Sequence, residues 1–170
     1  MHDSRLKILI ILMSILIAGG IIAVVIAVKM DSGQVAGKTD SMAIMDVDST
    51  QYDFGDIKID GGLVSHKFEI SNTGEGELKL SDISTSCMCT SAYLEFNGEK
   101  SPKFGMHKNP IFWSQKIASG EKGTLEVIFD PMAHGPDAIG PITRNVSVYS
   151  NDNGQKSVKS IFTFTANVIR

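Results

Sequence analysis

Two hydrophobic rhythms divide the chain. From Ile8 to Val28 (residues 8–28) no charge interrupts a run of Ile, Leu, Val, Ala and Met, with Lys7 before it and Lys29 after it. A helix of that length rises roughly 31 Å at about 1.5 Å per residue, close to the hydrocarbon thickness of a bilayer. From Gln51 onward the rhythm changes to period two. Val64, His66, Phe68 and Ile70 alternate with Ser65, Lys67 and Glu69. Leu78 and Leu80 continue it, as do Leu125, Val127 and Phe129, then Val146 and Val148. Val158, Phe162, Phe164, Ala166 and Val168 give a long last strand, with Ser160 as a break. Turn signals punctuate these runs: Asp60-Gly61-Gly62, Asn72-Thr73-Gly74, Asn97-Gly98, Ser119-Gly120 and Asn151-Asp152-Asn153-Gly154. Short strands at this spacing, with no helical period outside the N-terminal run, predict a β-sandwich.

The organisation that follows is a tail over residues 1–7, a transmembrane anchor over 8–28, a linker over 29–50 and a β-domain over 51–170. The linker is rich in Ser, Gly, Asp and Lys, and buries too little apolar surface to offset the entropy of ordering it. A cleaved signal peptide is the alternative to an anchor. Its apolar core is expected to be about 7–15 residues and to end in a small-x-small site, which this longer run lacks. Arg5 and Lys7 precede the run, while Lys29 is soon followed by Asp31. That asymmetry puts the N-terminus in the cytoplasm and the β-domain outside it, as a single-pass protein of the cell membrane. Gly19, Ala23 and Ala27 lie at helical spacing, a pattern common in membrane helices.

Charge and motifs narrow the function by exclusion. A formal net charge of −3 over 170 residues, without basic clusters, gives no footprint for nucleic acid. There is no Gly-x-Ser-x-Gly elbow, His-Glu-x-x-His helix or glycine-rich phosphate loop. Asp53, Asp56 and Asp130 sit beside Gly or Pro, where turn formation explains them. The expectation is a protein that is not an enzyme.

The chemistry is concentrated in Thr85-Ser86-Cys87-Met88-Cys89-Thr90, which holds both cysteines of the chain. Residues two apart in a regular strand share a face at about 6.6 Å between Cα atoms, the upper edge for a disulfide, so that bond needs a bend at Met88. Thiols on one face also suit a soft metal, Cu(I) or Zn, with Met88 within reach if the chain bends. The third reading is plain burial, because cysteine packs as a small hydrophobe. For a metal, Met106 and His107 would complete a site with Cys87 and Cys89. Met132 and His134 form a second methionine–histidine pair on a different turn.

Several motifs carry a resemblance. Tyr52-Asp53-Phe54-Gly55-Asp56-Ile57, Phe68, Asn72-Thr73-Gly74, Ser86-Cys87-Met88-Cys89-Thr90, Ser119-Gly120-Glu121, Phe129-Asp130-Pro131 and Ser150-Asn151 together resemble an uncharacterised, mostly exported bacterial family. Its domain is similar to the immunoglobulin-like Hydin and major-sperm-protein modules, and the likeness runs from Gln51 to the C-terminus. It implies a seven-stranded immunoglobulin-like sandwich with no established catalytic activity. Two features depart from the family pattern: Met88 stands where glycine is usual, and the segment from Tyr93 to Gln115 is longer, with Pro102 and Pro110 suited to a loop. The expected function is a binding module of the cell envelope that engages another envelope protein or peptide. A soft-metal or thiol-redox protein is the alternative.

Overall fold

The computed structural model describes residues 42–107 and 109–170. The apolar run at 8–28, its flanking tail and the linker up to residue 41 lie outside the described residues. Among the described residues, no helix is long and apolar enough to cross a membrane.

Among the described residues, ten strands form two five-stranded sheets. They are β1 (Met45–Val47), β2 (Gln51–Lys58), β3 (Val64–Asn72), β4 (Leu78–Thr85), β5 (Thr90–Phe96), β6 (Glu99–Lys100), β7 (Ser114–Ile117), β8 (Lys122–Phe129), β9 (Gly140–Ser150) and β10 (Val158–Ile169). One sheet runs β1-β3-β8-β5-β6 and the other β2-β10-β9-β4-β7. All pairs are antiparallel except β2 with β10, which is parallel. The all-β sandwich read from the alternation is therefore present, with ten strands in place of seven. The added pieces include short edge strands. β6 and the start of β7 fall within the Tyr93–Gln115 segment, and β1 within the linker range 29–50.

Alternation places the core where the sequence put it. Phe68, Ile70, Leu125, Val127 and Phe129 of one sheet face Leu78, Leu80, Val146, Val148, Phe162 and Phe164 of the other, all buried. Ser160 does not break β10; it pairs with Val148 inside the β9–β10 ladder. Gly55 has a geometric reason in the Tyr52-to-Ile57 motif. Its φ of 66° lies in the region that disfavours side chains, and it coincides with a register shift between β2 and β10. Asp53 braces this bulge by accepting from Gly55 N–H (3.1 Å) and the Thr165 hydroxyl (2.8 Å). Those two donors hold its carboxyl below the usual carboxylate range.

The N-terminal edge is fastened through one buried side chain. Asn72 Oδ1 accepts from Ile44 N–H (3.3 Å) and Gly74 N–H (3.1 Å), while Nδ2 donates to the carbonyls of Gly76 (2.7 Å) and Ile117 (2.9 Å). Gly74 lies against the backbone of Met42, Ala43 and Ile44 so closely that a Cβ there would overlap them. The domain thus begins before Gln51.

His66 stacks on Tyr52 with ring centroids 3.5 Å apart and meets Phe68 edge-on at 4.7 Å. Burial lowers its pKa, and the charge of Asp48 opposes that shift. As pH falls through about 6.5 the unfolded chain takes up the proton first, so the stabilisation is complete above that pH and declines below it. We expect the urea midpoint to fall between pH 7.5 and 5.5, and His66→Gln to flatten that decline. An equal decline in both proteins would remove His66 as its source.

Candidate functional site

The cysteines sit in the turn that joins the two sheets. β4 ends at Thr85, residues 86–89 turn, and β5 begins at Thr90. The pair therefore lies on a turn directly after β4 and not within a regular strand. Thr85 Oγ1 lies 3.0 Å from the carbonyl of Cys87 and 3.1 Å from that of Thr90, and Thr90 N–H donates back to Cys87 O at 3.1 Å. Ser86 fixes the turn to β9: its N–H donates to Asn145 O, and its Oγ accepts from Asn145 N–H, both at 2.9 Å. Asp130 N–H donates to Cys89 O at 2.9 Å, tying in the end of β8. This tight local bonding accommodates Met88 without a glycine; its side chain is exposed.

Within the turn, Cys87 and Cys89 are joined as a disulfide with Cα atoms 5.3 Å apart. The turn supplies the bend that a straight strand lacks. Closing so short a ring removes only about 1.5 kcal/mol of loop-closure entropy from the unfolded chain. Sixteen burial positions of the two sheets hold the sandwich independently of it, so the fold is expected to survive reduction.

 They are the buried Ile, Leu, Val and Phe side chains of the strands, from Ile57 in β2 to Val168 in β10.

Two further side chains reach the sulfurs from other elements. After β8, Asp130 caps a short 3-10 turn, Pro131–His134, by accepting from Met132 N–H at 2.9 Å. That turn brings His134 Nε2 to 3.2 Å from Cys87 Sγ. From β9, Arg144 Nε–H donates to Cys89 Sγ at 3.1 Å. Cys89 N–H lies 3.4 Å from Cys87 Sγ, and the Thr90 hydroxyl 3.7 Å from Cys89 Sγ. Cys89 is buried, Cys87 half-buried and His134 exposed, so the group opens to solvent on one side. The donor atoms of Cys87, Cys89 and His134 all lie within 4.8 Å of one another.

The other residues singled out from the sequence fall elsewhere. The loop of Met106 and His107 meets the corner through its backbone, where Thr85 N–H donates to Gly105 O at 3.1 Å. Both side chains are exposed, and His107 is not in the donor group. Met132 is exposed on the turn that carries His134. Arg144 escaped the sequence reading, although it left a signal. It shares the inward phase of Val146 and Val148 in β9, an unusual place for a charge.

A second feature lies beyond the corner. Ile111 and Phe112 are 81% and 98% exposed, and Phe112 adopts a φ of 64°. Bulky side chains rarely occupy that region. Beneath them Trp113 packs edge-on against buried Phe104, ring centroids 4.7 Å apart, and β7 follows at once as an edge strand.

Fold and corner together define an immunoglobulin-like β-sandwich of two sheets with a cysteine–histidine turn at one end. A family model described as "Protein of unknown function (DUF1573)" matches residues 45–101, from β1 through the cysteine turn to just past β6. No curated protein matches the sequence. The crystal structure of a protein of unknown function from Porphyromonas gingivalis W83 is similar at 20% identity and a TM-score of 0.56, over 79% of this chain and 51% of that one. The chain thus spans about half the length of that protein. The ASH/PapD-like domain 7 of human CEP192 is similar at 13% identity and a TM-score of 0.48, over 81% and 92% of the two chains. The YadV chaperone is similar at 11% identity and a TM-score of 0.42, over 74% and 52%. At such identities the first of these likenesses speaks for the fold alone.

Proposed function

We propose that the protein is a non-enzymatic binding module of the cell envelope, held at the membrane by residues 8–28 with its sandwich outside the cytoplasm. The observation that carries this reading is the exposed pair Ile111 and Phe112 beside β7, the terminal strand of its sheet. A solvent-facing phenylalanine held at positive φ is costly to the free molecule and useful when a partner covers it. The edge strand next to it offers backbone groups to an extended segment, so the partner is an envelope protein or peptide that adds a strand along β7. The likeness to Hydin and major-sperm-protein modules belongs with this reading.

Phe112→Asn separates binding from folding. Asparagine tolerates the positive φ, so the variant is expected to gain about 1 kcal/mol of stability. It should also lose a partner that crosslinks to the wild-type full chain in native envelopes. Recovering only self-contacts from wild type, or an unchanged partner with the variant, would overturn the assignment. A C-terminal reporter active only in the cytosol would overturn the orientation.

The convergence of Cys87, Cys89 and His134 supports a second reading, in which the turn handles a soft metal or exchanges thiols.

A further inference from the structure

Resting on that second reading, we infer that the reduced turn is a Cu(I) site made by Cys87 Sγ, Cys89 Sγ and His134 Nε2, with the disulfide as its closed state. Two thiolates and an imidazole form a soft donor set, and thiolate sulfur selects Cu(I) and Zn(II) over hard cations. Charge then chooses between the two. The group supplies three ligands and opens to solvent beyond His134, which excludes a closed four-ligand structural zinc site but leaves an open zinc site to be judged by charge. Two thiolates with a monovalent ion leave one net negative charge, and the Arg144 guanidinium, already bonded to Cys89 Sγ, neutralises it. A divalent ion would cancel the thiolates by itself and leave that half-buried cation without a counter-charge. Among the described residues no carboxylate forms an ion pair with Arg144.

The surroundings are built before the metal arrives. His134 is fixed by the capped 3-10 turn, Arg144 by its strand, and the cysteine turn by Ser86 and Thr85. In the disulfide neither sulfur is a thiolate, so the site is closed. Opening it consumes an external dithiol: the S–S bond accepts two electrons and two protons to give the Cys87 and Cys89 thiols, and the dithiol leaves as its own disulfide. Binding of Cu(I) then displaces the two thiol protons to solvent. The position of the turn at the junction of both sheets allows this local change without breaking a ladder.

The test uses the full chain in detergent, reduced under anaerobic conditions and titrated with Cu(I) against a chromophoric Cu(I) chelator. We expect one Cu(I) per reduced chain, none on the oxidised chain, and none on the doubly substituted Cys87→Ser, Cys89→Ser protein. Replacing a partner of a metal ligand typically weakens binding about 10–100-fold, so Arg144→Gln should fall in that range and His134→Ala at least as far. His107→Ala should leave affinity unchanged. X-ray absorption of the loaded chain should report two sulfur neighbours and one nitrogen. Circular dichroism checks that each variant is folded; exposed His134 is the substitution least able to disturb packing.

Equal affinity in wild type and the double cysteine variant would overturn the site. Loss with His107→Ala in place of His134→Ala would overturn its ligand set, and tighter Zn(II) than Cu(I) would overturn its charge argument. If copper fails while a dithiol still reduces the pair and forms a trappable mixed disulfide at half-buried Cys87, the metal inference falls and the thiol-exchange half of the second reading stands. Failure of both removes that reading as well.

Discussion

Asn72→Ala is expected to destabilise the domain by about 3–5 kcal/mol, seen as a lower urea midpoint with an unchanged slope. Asn72 is fully buried, and all four of its side-chain hydrogen bonds go to backbone groups. Each such bond contributes about 1 kcal/mol net, and a buried partner left bare costs about 1–3 kcal/mol. Gly76 and Ile117, whose carbonyls accept from Asn72, are both buried. Asn72→Asp provides the discriminating control, since it keeps the shape and the two acceptor bonds but cannot donate to those carbonyls. It should recover little of the loss. A cost under about 1 kcal/mol for Asn72→Ala would mean that the N-terminal edge is held by something else.

Phe164→Ala should cost a similar amount, about 3–5 kcal/mol, by the usual cost of emptying an aromatic site. Phe164 lies in β10, where its ring meets Phe54 of β2 at 5.5 Å and Phe129 of the opposite sheet at 5.7 Å. Phe129 is the last residue of β8, and the turn that carries His134 begins two residues later. The cavity should therefore loosen that turn as well as lower the midpoint. Phe164→Leu, which refills much of the volume, should restore most of the stability. If the alanine variant unfolded at the wild-type midpoint, the two sheets would not be joined through this ring.

These expectations rest on features that were unequally visible in the sequence. Period-two burial was legible because each strand has one face on the core and one on solvent; His66, Phe68 and Ile70 declared their face without help. β1 was not legible, because its three residues are polar and moderately apolar in turn and its hold comes from Asn72 and Asp152, far along the chain. β6 and β7 were hidden for a related reason. Prolines at 102 and 110 mark the segment as a loop, and pairing with β5 and β4 organises its ends. At the corner the cysteines were plain, but the choice between His107 and His134 needed the β5–β8 pairing that sets Thr90 beside Phe129. Asp130 was read correctly as a turn residue, whereas Asp53 and Asp56 brace the β2–β10 edge through Thr165 and Asn167.

The pairing of β1 with the last residues of β3 also decides which pole of the sandwich faces what. Met45 meets Asn72, whereas Val64, at the other end of β3, meets Phe129, which meets Thr90 beside the sulfurs. Eight steps of about 3.4 Å put roughly 27 Å between those poles. Met45 thus stands at one pole and the thiols at the opposite one. A molecule docking on the cysteine turn therefore need not share room with the pole where β1 begins.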